Sequence, residues 1–260
     1  MAKMPIPTSS IRLMFFDYGG IKVYFEIQGE GRDLLLLHGW GCDHSEFYGF
    51  LPQMLQSHRV ISLDFPGFGL SEEPLNTWGV EEYCRMTEAL CEHLKVMEPQ
   101  IICHSFGGRV AALFASRNAV GRMIWADAAG LKPRRSLKYY IKVHSYKLAK
   151  FFLLKVLRNE KAFNRLREKR GSSDYKSASE RMKAVLSRTV NEDLSACLPK
   201  IKSPVLLFWG ENDTATPLWM AKKMEKLLPD AAIILVKSGS HFSFIDDPAL
   251  FSSMILTFLK

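Results

Sequence analysis

Apolar residues along the chain follow two alternating rhythms, short dense runs and longer stretches spaced three and four apart. IRLMFF (11–16) and IKVYFEI (21–27) flank DYGG (17–20), whose two glycines supply the positive φ that a tight hairpin needs. LLLLHGWG (34–41) and VISLDFPGFG (60–69) are apolar runs that end in glycine turns, the pattern of fully buried strands. Between them lies a polar, amphipathic segment, 44–57. VEEYCRMTEALCEHLKVM (80–97) sets Tyr83, Met86, Ala89, Leu90, Leu94 and Met97 at helical spacing, with Pro99 as its stop. IICHSFGGRVAALFAS (101–116) passes from strand through a turn into a helix. MIWADAAG (123–130), VLLFWGEND (205–213) and AAIILVKSGSH (231–241) read as further strands, the last two ending in polar loops. Pro217 opens a helix that runs to Leu228, and PALFSSMILTFLK (248–260) is a terminal amphipathic helix. Strands alternating with helices predict an α/β fold, with a mostly parallel central sheet covered by helices on both faces.

Composition narrows the class. With 47% hydrophobic and 24% charged residues, the chain has enough apolar side chains for a core and enough charge for a wetted surface. No run approaches the roughly 20 apolar residues of a membrane span. The opening MAKMPIPTSSIR lacks the apolar centre of a secretory signal, so a cytoplasmic location is expected. The five cysteines are scattered, and neither CxxC nor HExxH spacing occurs. Reduced thiols, no dedicated metal site and no cofactor are therefore expected. Charge divides the chain more sharply than composition does. Residues 131–202 hold 20 Lys and Arg against six Asp and Glu, a net of +14 within a chain of net +8, which marks them as a separate unit.

CHSFGG (103–108) carries the central chemistry. The nucleophile elbow G-x-S-x-G places a serine on a sharp strand-to-helix turn, where only small flanking residues fit. Gly107 meets that demand, and Cys103 stands where the first glycine would be. Ser105 is thus the candidate nucleophile, and it needs a neighbouring base to take its proton. His104 must diverge from Ser105 at such a turn, and His38 suits shaping of the HGWG loop. His241, in the loop after the last strand, fits the chain order Ser…Asp…His and is the candidate base. Asp213, ending FWGEND, is the candidate acid that orients it, with Asp127 in WADAAG as the rival. Asp246 and Asp247 suit the start of the last helix, and Asp64 the bracing of a turn. The backbone N–H groups of Trp40 and Phe106 are the candidate oxyanion donors.

Taken in order, strand-HGWG, DFPGFGLS, CHSFGG, GENDTATP and GSHFSF resemble the α/β-hydrolase superfamily, in its small esterase, C–C hydrolase and perhydrolase branch. The resemblance covers about 20–130 and 203–260. It implies a core of 1–130 and 203–260, with 131–202 as a basic helical cap above the site. It also implies a serine hydrolase that cleaves a carboxylic ester of a small to medium acyl substrate through an acyl-enzyme. Two other readings share these residues, namely cleavage of a C–C bond in a vinylogous diketone and a non-catalytic ligand receptor on the same fold. The basic cap reads first as a cover whose apolar side faces the pocket and whose basic side is solvated, with attraction to anionic substrates or acidic lipid surfaces as the alternative. Arg134, Arg135, Arg165, Arg167, Lys169 and Arg170 are the positions to watch, and Tyr139, Tyr140, Phe151 and Phe152 are candidates for the acyl pocket. No nucleic-acid motif accompanies the charge, so no nucleic-acid partner is expected.

Overall fold

A computed structural model describes residues 14–134, 145, 151, 152 and 178–260. Its strands are β1 (Met14–Tyr18), β2 (Ile21–Gln28), β3 (Arg32–Leu37), β4 (His58–Leu63), β5 (Gln100–His104), β6 (Met123–Ala126), β7 (Val205–Gly210) and β8 (Ala231–Val236). Its helices are α1 (Leu51–Met54), α2 (Val80–His93), α3 (Phe106–Ala115), α4 (Glu180–Asn191), α5 (Trp219–Leu227), α6 (Ser243–Asp246) and α7 (Pro248–Phe258).

All eight strands join one sheet in the order β1-β2-β4-β3-β5-β6-β7-β8. The β1–β2 and β2–β4 pairs are antiparallel, and every later pair is parallel. Gly19 and Gly20 turn the β1–β2 hairpin at φ 59° and 83°, conformations a side chain would resist. The parallel strands are apolar without alternation because both faces are covered. Leu35, Leu37, Ile101, Cys103, Met123, Trp125, Leu207 and Trp209 pack with α2, α3, α4 and α5. The intervening Leu34, Leu36, Ile102, Ile124, Leu206 and Phe208 pack with α1, α6 and α7.

One boundary differs from the sequence reading. Helix α2 ends at His93 rather than Met97, and Lys95 takes a φ of 56° in the turn that follows. The 44–57 segment is half turns, with a 3-10 turn at Tyr48–Phe50 followed by α1, only four residues long and with Pro52 in its first turn. Within 131–202, Ser179 caps α4 by accepting from the Met182 N–H, and α4 buries Met182 and Val185 against the main core. Arg109 of α3, 4% exposed, reaches across to that segment: its guanidinium donates to the Glu192 carbonyl at 2.8 Å. The residues around 135–177, apart from 145, 151 and 152, lie outside the described ones, and with them Arg135, Arg165, Arg167, Lys169, Arg170, Tyr139 and Tyr140. Among the described residues no helix is long and apolar enough to cross a membrane.

Candidate active site

Because β5 is central and parallel, the residue after His104 emerges at the carboxyl edge of the sheet, where ligands of such folds bind. That residue is Ser105, with φ 44° and ψ −110°. A non-glycine residue at this φ costs on the order of 1–3 kcal/mol and persists only when its surroundings enforce it. Here they do. The Ser105 N–H donates to the Ala126 carbonyl at 3.2 Å, and the Ser105 carbonyl accepts from Gly108 at 3.0 Å and Ala129 at 2.8 Å. Gly107 is obligatory beside it, since a Cβ there would lie 2.1 Å from the Leu37 carbonyl oxygen. Cys103, fully buried, fills the first-glycine position inside the core without displacing the strand.

The structure brings Ser105, His241 and Asp213 together from three separate loops. Ser105 Oγ lies 2.9 Å from His241 Nε2, and His241 Nδ1 lies 2.8 Å from Asp213 Oδ2. Asp213 is buried behind the ring, at 4% exposure. Its Oδ1 accepts from the Ala215 and Thr216 N–H groups at 2.7 and 2.9 Å, and the Thr216 hydroxyl sits 2.6 Å from Oδ2. Burial alone would raise this carboxyl. The hydrogen bonds from His241 and Thr216 outweigh it and hold the pKa below the usual aspartate value.

Asp127, the rival acid, directly follows β6 but faces other partners. Its carboxylate accepts from the Gly210 N–H at 2.8 Å, the Ser243 N–H at 2.9 Å and the Ser243 hydroxyl at 2.6 Å. Burial pushes its pKa up, and these hydrogen bonds only partly offset that. It ties β7 to the turn after His241 instead of meeting the imidazole.

The HGWG loop is held from within. His38 Nε2 accepts from the Phe65 N–H at 2.9 Å, so its proton sits on Nδ1, 2.7 Å from the Gly39 carbonyl. Burial pushes its pKa down, consistent with a neutral ring. The Gly39 N–H donates to Glu46 Oε2 at 2.9 Å, which leaves the Trp40 N–H as the loop's candidate donor to a ligand. Phe106, at the first position of α3, has an N–H with no acceptor inside its helix. The Trp40 indole packs edge-on against Phe68 and Phe106, at 4.8 and 5.5 Å between centroids.

Other expectations sort themselves by contact. Asp64 braces its turn through the Leu70 N–H at 2.7 Å. Asp247 caps α7 by accepting from the Leu250 N–H at 3.0 Å. Asp246 does not begin that helix: it ends α6 and accepts the Ser240 hydroxyl at 2.7 Å, closing the loop that carries His241. Phe151 and Phe152 are more than half exposed. Arg134 stacks on Trp219, its guanidinium 4.4 Å from the ring centroid.

Among the described residues, two groups bring three potential metal-ligating atoms together, Cys42–Glu46–His104 and Asp43–His44–Asp64. In each, the imidazole already faces a carboxylate at hydrogen-bond distance, 2.7 Å for His104–Glu46 and 2.9 Å for His44–Asp64. Thr216, Ser243 and Glu46 escaped the sequence reading. Asp-x-x-Thr is a readable turn signature for Thr216, because the aspartate accepts from the N–H groups two and three residues on. Glu46 carries no comparable local mark.

A pimeloyl-[acyl-carrier protein] methyl ester esterase from Nitrosomonas europaea is 26% identical over 252 residues, covering 89% of this chain and 97% of its own. An esterase from Exiguobacterium antarcticum has the same fold, with a TM-score of 0.75 at 20% identity over 95% of this chain and 99% of its own. The enol-lactonase from Burkholderia xenovorans gives a TM-score of 0.74 at 20% identity, with the same coverage of 95% and 99%. The family described as the α/β hydrolase fold matches residues 34–248, and the chain belongs to that family.

Proposed function

We propose that the protein is a serine hydrolase that cleaves carboxylic esters of small to medium acyl groups through an acyl-enzyme. The observation that carries this reading is the unbroken line Ser105 Oγ–His241 Nε2 and His241 Nδ1–Asp213 Oδ2, at 2.9 and 2.8 Å, with the serine on a strained elbow. Ser105 Oγ attacks the ester carbonyl while His241 Nε2 takes its proton. The Asp213 carboxylate, kept ionised by its lowered pKa, stabilises the imidazolium and fixes the ring. The oxyanion of the tetrahedral intermediate accepts from the Phe106 and Trp40 N–H groups, each such donor worth roughly 3–4 kcal/mol. The intermediate collapses, His241 returns the proton to the leaving alkoxide, and the alcohol departs. Water then attacks the acyl-serine with His241 as base, and the acid is released.

Esterase relatives support ester over other acyl bonds, and no step requires a cofactor. The segment 131–202 is read as a helical cap on a core of 1–130 and 203–260. Its charge supports an anionic substrate or acidic lipid surface, although two of its cations already serve the core: Arg188 pairs with Glu82 at 3.1 Å and Arg181 donates to the Pro74 carbonyl.

The test is hydrolysis of p-nitrophenyl esters from acetate to dodecanoate, with Ser105→Ala as control. Turnover should fall by about 10⁶ in the variant, as for other serine triads, with the thermal midpoint unchanged. The chain-length optimum would then size the pocket. No turnover on any ester would sink the reading and direct the search to vinylogous diketones and to slow-turnover ligand binding.

A further inference from the structure

His104 adjoins the candidate nucleophile yet takes no part in the proton relay. Its ring is 1% exposed and lies between two loops that the reaction must hold in register. Nδ1 is 2.7 Å from Glu46 Oε1, and Nε2 is 2.8 Å from the His241 backbone carbonyl. Both neighbours are acceptors, and a neutral imidazole has only one N–H to offer. A doubly protonated ring facing an ionised Glu46 satisfies both contacts, and that carboxylate is itself 4% exposed. The other oxygen of that carboxylate accepts the Gly39 N–H at 2.9 Å. The result is a three-bond line, Gly39 N–H to Glu46, His104 to Glu46, and His104 to the His241 carbonyl. One end is the loop that offers the Trp40 N–H, and the other is the backbone of the candidate base. Space enforces the line as well, since a Cβ on Gly39 would lie 2.6 Å from His104 Nδ1. Phe242 and Phe244 pack on the ring at centroid distances of 4.8 and 5.2 Å, and fix its plane.

We propose that Glu46 and His104 are positioning residues, a buried ion pair that holds the oxyanion loop and the His241 loop in one frame for the hydrolytic reaction. The inference rests on the serine-hydrolase reading above. Directions of titration agree with it. Burial would lower the His104 pKa, but the Glu46 charge and hydrogen bond outweigh it and raise it. Burial would raise Glu46, but the His104 charge outweighs that and lowers it. The groups facing the pair are Cys42 and His38 from the β3 end, Cys103 from β5, Asp127 from the β6 end and His241 from the β8 end. A pair of this kind matters to the rate because the reacting atoms must be aligned before the barrier is crossed. A displacement of about 1 Å is worth about a hundredfold in rate.

The experiment compares wild type with Glu46→Gln and Glu46→Asp, using steady-state kinetics on the best p-nitrophenyl ester, fluorophosphonate labelling of Ser105, thermal midpoints and ¹⁵N spectra of the histidine rings. Glu46→Gln should lower kcat about tenfold to a hundredfold, with KM within about twofold, because alignment is lost in the transition state rather than in binding. Its alkaline limb in kcat should move to lower pH, since His104 loses the carboxylate that retains its second proton. Glu46→Asp, which keeps the charge, should recover part of kcat. The wild-type spectrum should show both His104 ring nitrogens protonated at neutral pH. A Glu46→Gln enzyme that loses thermal stability but keeps kcat per folded molecule would reduce the pair to a structural role and overturn the proposal. So would a singly protonated His104, which is read without reference to any substrate. Should wild type hydrolyse no ester yet label at Ser105, the ester reading alone fails, and the labelling rate of Glu46→Gln then tests the pair. A wild type that neither hydrolyses nor labels overturns both.

Discussion

Asp127 and Asp213 make a natural pair for comparison. They follow adjacent parallel strands, β6 and β7, they are 0% and 4% exposed, and either could serve as the acid of a Ser…Asp…His order. The difference lies in what their oxygens accept. Asp213 turns one oxygen to its own loop and the other to His241 and Thr216, so its charge is supported and its pKa falls. Asp127 receives backbone and hydroxyl donors from Gly210 and Ser243, burial prevails, and its pKa rises. In the proposed reaction, Asp213 stabilises the cation that forms on His241. Asp127 joins the end of β7 to the turn after His241. The two functions are connected, because the Thr216 hydroxyl lies 2.6 Å from Asp213 Oδ2 and 2.9 Å from the Asp127 carbonyl.

Substitution should separate them. Asp213→Asn is expected to lower kcat by about 10⁴ through loss of the charge and the favoured tautomer, an effect on rate far larger than its effect on stability. If that variant stays fully active while Asp127→Asn does not, the acid moves to the rival position. Asp127→Asn should instead cost stability. An amide cannot accept from both the Gly210 and Ser243 N–H groups, and a buried donor left without an acceptor costs about 1–3 kcal/mol, readable in urea unfolding. Smaller again is Thr216→Val, which removes one hydrogen bond from Asp213 and should reduce kcat by threefold to tenfold, from a net loss of about 0.5–1.5 kcal/mol.

Acid unfolding sharpens the contrast because the shifts have opposite signs. Asp213, with its folded pKa lowered, contributes stability that is present above the ordinary aspartate pKa of about 3.9 and is lost as pH falls through the folded value. Asp127, with its folded pKa raised, takes up a proton in the folded state first. The fold therefore gains stability as pH falls from that raised value toward about 3.9. The wild-type advantage over Asp213→Asn should shrink on acidification, while its advantage over Asp127→Asn should widen. Parallel trends in urea midpoints across pH 3 to 7 would contradict the assignment of the two environments.

Ser105 was legible because a strand, a small-residue turn and a helix follow one another within sixteen residues, and local patterning carries that information. His241 and Asp213 were legible by order along the chain. The insertion of β4 between β2 and β3 was not, because strand neighbours depend on crossover packing rather than on any one segment. Nor was Glu46, whose partner His104 is 58 residues away and whose second contact, Gly39, becomes a partner only after the loop folds back. Asp246 misled for a related reason. Its position before a proline-led helix suits a cap, yet Asp247 takes that place and leaves Asp246 to the Ser240 loop.

The sheet order also has a consequence for folding. β3 and β5, which carry the HGWG loop and the elbow, are central neighbours, whereas β7 and β8 add at one edge and come last in the chain. Contacts such as His58 with the Leu259 carbonyl span 201 residues, and closure over such distances is the slow part of assembly. A nascent chain structured only as far as β6 would hold Ser105 beside His104 but without His241, its candidate base. Under the proposed mechanism the serine would gain its base only once β8 is in place, so the order of synthesis would leave it unreactive until the rest of the fold has formed.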